Sequence, residues 1–460
     1  VTGDTARGDV LEEQIDQWRG FVTRRRAISA PDVEEMEDHL REQIAELESG
    51  GLDGDEAFLV AVKRMGALDA VSREFAREHS HRLWKQLVLV PEADEESGAS
   101  RWRELGATLL FALGAGLAVR LLVGAVDDEI VLILNLPFVV LPFLAGWFAW
   151  KRRAPWQVGA VTVALAAVPA LAVNLYPFQE TVDPYPAPGM TQVLAITHVP
   201  ILLWLLAGVF HTGGRWRSHE RRMDYVRFTG ELVMYLVLIT LGSVVLLGLT
   251  AAVLALADVD VSPFVADWLV PFGVPGALLV AAWLVEAKKS VVENITPVLS
   301  RVFTPLALLM LVADLVAMLV NGPLARVDRE MLIVMDAVLV LVLFLLLYSI
   351  SARDPLLPPG VLDWLQLALV GTALAVNAVA LTAMLTRIAE FGFTANKTAA
   401  LGLNLVLLVH LVWSAWLLLG FVRGRRPFAA VERWQTTYLP VYALWAAVVV
   451  LVFPPLFAFS

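Results

Sequence analysis

The 460-residue sequence contains no cysteine. Disulfides, thiolate metal sites and cysteine nucleophiles are thereby excluded. It also lacks a glycine-rich phosphate loop, a histidine cluster at zinc spacing and a nucleophile elbow. Charge is scarce, at 17% of residues, and unevenly placed. Up to Glu104 there are 24 acidic and 14 basic residues, a net of −10; the other 21 of each sign cancel. An acidic N-terminal segment offers no surface to nucleic-acid phosphates. No nucleic-acid partner, metal or cofactor is expected.

What fills the sequence is apolar. Hydrophobic residues make up 58%, with a mean hydropathy of +0.68. Soluble chains are about half apolar by a similar count, so the excess points to a lipid solvent. The first apolar stretch is amphipathic and charged throughout, which predicts no signal peptide.

Residues 1–86 read as a small domain of four short helices. Leu11, Ile15, Trp18 and Phe21 recur at helical spacing, as do Val33, Met36, Leu40, Ile44 and Leu47. Pro31, with Asp32, Glu34 and Glu35 behind it, marks the second start, and Gly50-Gly51 its end. Phe58, Ala61, Val62 and Met65 form a third face, and Leu68, Val71 and Phe75 a fourth. His39 reads as a solvated or capping residue. Residues 87–104 read as an acidic linker, and 105–460 as a membrane bundle.

A spanning helix needs about 20 apolar residues. Eleven candidate runs follow, at 105–126, 131–150, 157–178, 193–210, 231–257, 269–287, 304–320, 332–350, 364–385, 399–422 and 438–459. The expected fold is all-α: a polytopic helical membrane protein with about eleven spans behind a small cytoplasmic helical domain. Segment 291–303 reads either as an amphipathic surface helix or as an extension of the seventh span. With the N-terminus in the cytoplasm, 16 Lys/Arg fall in inner loops and 5 in or near outer ones. That bias fixes the expected orientation and places Ser460 outside.

Two resemblances add to this. Trp18-Arg19, the stretch from Asp32 to Arg41, Gly51-Leu52, Glu56-Ala57-Phe58, Ala61-Val62, Met65-Gly66 and Glu74-Phe75 occur in order over about 80 residues. In this the segment resembles the permease prefix domain of actinobacterial membrane proteins. That domain is similar to the helical signalling domain of proteins encoded beside PadR-type regulators. The resemblance implies a cytoplasmic regulatory partner. Arg387-Ile388-Ala389-Glu390-Phe391-Gly392-Phe393-Thr394, followed by Lys397, resembles the Arg-Ile-x-Glu-Tyr-Gly-x-Thr signature of the bacterial membrane family known as domain of unknown function 4153. Phe391 stands where that family usually has tyrosine. This resemblance implies a fold, no established activity, and residence in a bacterial inner membrane.

Ionisable groups inside a span are costly, about 2.5–3.5 kcal/mol even on insertion scales, and so mark function. Asp314 and Asp336 are the clearest. They are candidates to share a proton or cation, or to pair with Arg387. A structural pair or neutral hydrogen-bonded acid is the plainer reading. His198 and His410 suit a proton path or simple hydrogen bonding. Asn174, Asn377 and Asn404 suit interhelical hydrogen bonds. Arg387, Glu390, Gly392, Thr394 and Lys397 form an outer-surface motif: either a cap with an i, i+3 ion pair or the mouth of a ligand or ion site. The basic and aromatic stretch from His211 to Arg227 suits topology or anionic headgroups.

Three function classes remain. The first is a membrane sensor or regulator acting through a cytoplasmic partner. The second is a proton- or cation-coupled transporter, and the third, weaker, is a lipid-modifying enzyme. Transport predicts a mid-membrane cavity lined by Asp314 or Asp336, and an enzyme predicts polar groups converging at one interface.

Overall fold

The computed structural model describes residues 11–12, 14–16, 18, 30–65, 93–181, 187–256, 259–287, 289–320, 329–355 and 357–460. Two compact units are present, residues 1–103 and 104–460. Among the described residues the chain is helical apart from one antiparallel strand pair, β1 (Glu180–Thr181) with β2 (Ala187–Pro188).

In the first unit the described residues between 11 and 18 are helical, and α1 (Ala30–Ser49) and α2 (Gly54–Met65) follow. Their apolar faces meet in one core of Ile15, Trp18, Leu40, Ile44, Ala57 and Phe58, with Ala61 and Val62 beside them. Helices this short are marginal alone, so this burial holds them. Arg41 joins two of them, bonding Glu12 at 2.7 and 2.8 Å and Glu37 at 3.1 Å. Its hydrogen bonds to the Glu12 carboxylate raise the guanidinium pKa further. His39 is exposed, 3.9 Å from Glu42. The expected contributions of Phe21 and of the fourth helix, Leu68 to Phe75, lie outside the described residues.

The second unit is built from α3 (Ala93–Ala125) from residue 104 onward, α4 (Glu129–Arg152), α5 (Trp156–Leu175), α6 (Met190–His211), α7 (His219–Ala255), α8 (Ser262–Ala287), α9 (Lys289–Val320), α10 (Arg329–Ala352), α11 (Val361–Phe391), α12 (Ala395–Val422) and α13 (Phe428–Leu451). All but α9 meet the length and composition needed to cross a membrane when the described residues are considered, which makes ten. Large apolar side chains cover their outer surfaces. Leu110, Leu113, Leu117 and Leu121 make an exposed stripe on α3, and Leu238, Leu241, Leu246 and Leu249 stand out on α7. Patches of this size are not tolerated by a water-soluble monomer. The protein is all-α and polytopic, with its outer surface suited to lipid.

Contacts between helix ends show which end of the bundle each helix reaches. Arg152 at the end of α4, His211 at the end of α6, Glu231 near the start of α7 and Glu286 at the end of α8 surround one cavity. Arg227 of α7 donates from Nε to the Ser351 carbonyl at 2.9 Å, so α10 ends here too. His219 of α7 bonds Thr436 of α13 at 3.0 Å. Arg353 stacks on Phe421 and Phe428, at 4.6 and 4.4 Å, where α12 ends and α13 begins. Twenty-four residues of helix extend about 36 Å, so α10 begins at the opposite end. Since α8 ends at the first end, α9 must traverse the bundle between them. Among the described helices that makes eleven traversals, ten of them long and apolar enough to cross a membrane.

Several boundaries differ from the sequence reading. Residues 93–104, read as linker, are the first turns of α3. Helix α7 begins at His219 rather than near 231, because Ser218 caps it by accepting from the Arg221 amide. Segment 291–303 is continuous with the seventh run within α9. Helix α8 opens seven residues early through a π-helical turn, Val265–Leu269.

Candidate functional site

Three of the polar residues singled out inside the spans meet. Asn404 of α12 donates from Nδ2 to Asp336 Oδ1 of α10 at 2.7 Å. Asn377 of α11 donates to Asn404 Oδ1 at 2.9 Å and to its backbone carbonyl at 3.2 Å. Both asparagines are fully buried, and Asn377 Oδ1 has no hydrogen-bond donor. Asp336 is thus tied to an asparagine pair, not to Asp314 or Arg387. Asp314 is half-buried and has no hydrogen-bond or ion-pair partner among the described residues.

The two histidines are held differently. His410 is fully buried. Its Nε2 donates to Gln435 Oε1 at 2.6 Å, and its Nδ1 meets the Tyr442 hydroxyl. The Gln435 amide donates onward to Ser414 at 3.1 Å. Gln435 can only accept through Oε1, so the neutral ring carries its proton on Nε2. His198 bonds Leu194 O, one turn back on its own helix, at 2.9 Å. Asn174 exchanges hydrogen bonds with Asn135 at 2.8 and 3.0 Å, joining α5 to α4.

The motif from Arg387 to Lys397 is a helix-to-helix connector. Gly392, at φ 74°, closes α11 by donating to Ile388 O. Thr394 opens α12 by accepting from the Lys397 amide. Lys397 folds back, donating to Gly392 O at 3.0 Å and lying 5.4 Å from the Phe391 ring. Arg387 and Glu390 do not form the expected i, i+3 pair; Glu390 is exposed at the last turn. Phe391 serves here as the apolar platform for Lys397, a role that needs no phenolic hydroxyl.

The most developed ionic site lies elsewhere, in the cavity of about 190 Å³ among the ends of α4, α6, α7 and α8. Glu286 is only 5% exposed in its side chain. Arg152 pairs with it at 2.7 Å, Lys151 at 3.7 Å, and His211 Nε2 lies 3.5 Å away. Lys151 also reaches Glu104 of α3 at 3.2 Å. His211 packs among Phe148, Phe228 and Tyr225, with ring centroids 4.8–5.1 Å apart. Glu231 is buried in the same wall, while Arg221 and Asp224 occupy the cavity's more open part. Polar groups therefore converge at one end of the bundle, with no serine or threonine among the described residues that line the cavity. Among the described residues no cluster is suited to a metal ion.

The sequence reading overlooked Glu231, Glu286 and Asp224. Its signal was available: Glu231 opens the fifth apolar run and Glu286 closes the sixth, two acids at the end otherwise rich in bases. Compared with known protein families, curated proteins and solved structures, the chain matches none.

Proposed function

We propose that this is a multi-pass sensor or regulator of a bacterial cytoplasmic membrane. Occupancy of the cavity at the basic end is passed to the N-terminal helical unit and on to a cytoplasmic regulatory protein. The observation that carries this reading is an ionic path, Glu286 to Arg152 and Lys151, and Lys151 to Glu104. It leads from the cavity wall to α3, the helix through which the chain arrives from the N-terminal unit. A ligand that competes for Arg152 or Lys151 changes the restraint on the base of α3. The basic end then faces the cytoplasm, and Ser460 lies on the outer side. Hydrogen exchange of the intact protein in lipid nanodiscs tests the coupling. Glu286→Gln breaks the path at the cavity wall, and altered protection of α1 and α2 is the expected result. Unchanged protection in a folded variant contradicts the reading.

A secondary transporter is the second reading, favoured by the Asp336–Asn404–Asn377 chain inside the bundle. It predicts a gradient-driven proton or cation flux in proteoliposomes that Asp336→Asn abolishes. Under the sensor reading no such flux occurs.

A further inference from the structure

The cavity at the basic end carries charges of both signs, and those at its mouth are unpaired. Arg221 and Asp224 are three residues apart on α7 and both line it. Neither side chain has an ion-pair or hydrogen-bond partner among the described residues, although this spacing permits one. Deeper in, Glu286 is held by Arg152 and Lys151, yet Arg152 Nε is buried without an acceptor. Phe228 and Val285 supply an apolar wall.

Three features narrow the ligand. Among the described residues the lining charges balance, with Arg152, Arg221 and Arg227 against Asp224, Glu231 and Glu286. A simple anion or a simple cation would meet as much repulsion as attraction there. The volume, about 190 Å³, falls below the roughly 300–1,000 Å³ of pockets for drug-sized ligands. The cavity also sits at the ends of four apolar helices, and the ends of spanning helices meet the headgroup region of a bilayer.

We infer that the cavity binds the headgroup of a zwitterionic aminophospholipid. The phosphodiester accepts from Arg221 and from Arg152 Nε. The primary ammonium donates to Asp224 and Glu231, and the glycerol end leaves along Phe228 and Val285. This rests on the sensing reading and names the ligand class of its cavity.

The test uses the full-length protein in micelles carrying phosphatidylethanolamine, phosphatidylcholine or phosphatidylglycerol with identical acyl chains. Native mass spectrometry reads the lipid retained. Phosphatidylethanolamine is retained about tenfold over the others, and Arg221→Gln and Asp224→Asn each remove about tenfold, the scale of one hydrogen bond to a charged group. Soluble glycerophosphoethanolamine competes; inorganic phosphate does not. Equal retention of phosphatidylcholine, which has no ammonium N–H, overturns the inference. So does preference for phosphatidylglycerol, or retention indifferent to both substitutions in variants that keep the parent's melting temperature. Selective retention without any change in exchange of the N-terminal unit leaves the site standing and removes the sensing reading.

Discussion

At the scale of single residues, Glu286 neutralises two cations that have little water around them. Removing one member of a buried ionic group costs about 3–5 kcal/mol, because the remaining charge stays buried and unpaired. Arg152 and Lys151 keep 23% and 15% side-chain exposure, so solvent screening places Glu286→Gln at the lower end, about 3 kcal/mol. Denaturant or thermal unfolding in detergent measures it. A loss under about 1 kcal/mol would mean that the path is not a structural restraint. Asn404 is the linchpin of the internal chain, since it donates to Asp336 and accepts from Asn377. Asn404→Ala strands Asp336 and leaves Asn377 only its bond to the residue 404 carbonyl, and is expected to cost about 1–3 kcal/mol. Asn377→Ala removes a side chain whose Oδ1 is already without a donor, and is expected to cost less. The reverse order would contradict this arrangement.

At the scale of elements, two glycines set how α11, α12 and α13 meet. Gly392 has φ 74° and ψ 178°, a region essentially reserved for glycine that costs other residues about 1–3 kcal/mol. Nothing surrounds the position a Cβ would take, so Gly392→Ala reports backbone strain alone. It should lower stability by that amount and leave lipid retention unchanged. A Cβ on Gly402 would instead run into the Trp445 indole. Gly402→Ala forces α12 and α13 apart or turns that ring, and overpacking of this kind costs about 1–3 kcal/mol. A thermal melt separates both variants from neutral ones. These elements were legible in the sequence because apolar runs and caps are local signals. Gly392 ending a helix, the eleven runs and the core of Trp18, Leu40 and Phe58 all follow from spacing. Asp336 drew notice because an acid amid Leu and Val is conspicuous. The partners of His410, 25 and 32 residues away, left no local mark. Nor did the meeting of Arg152 with Glu286, 134 residues apart. Only packing brings such groups together, and the acids at run ends were masked by the bases that set topology.

For the whole molecule, the helix traversals bring Arg152, His211, Arg227, Glu231 and Glu286 of α4, α6, α7 and α8 to one face. The absence of cysteine makes the chain suited to direct mapping. Single cysteines placed at the exposed positions Asp127, Glu220, Asp260, Phe393 and Arg425 sample four loops and the first turn of α7 without touching the cavity wall. The measurement is labelling by a membrane-impermeant maleimide, in intact cells and again after permeabilisation. Asp127→Cys, Asp260→Cys and Phe393→Cys are expected to react in intact cells, while Glu220→Cys and Arg425→Cys react only once the membrane is opened. Labelling of Glu220→Cys in intact cells would place the cavity on the outer face. Protection of Phe393→Cys alongside reaction of Asp260→Cys would mean that α9 does not cross. Either result would contradict a charged cavity at the cytoplasmic face of an eleven-helix bundle.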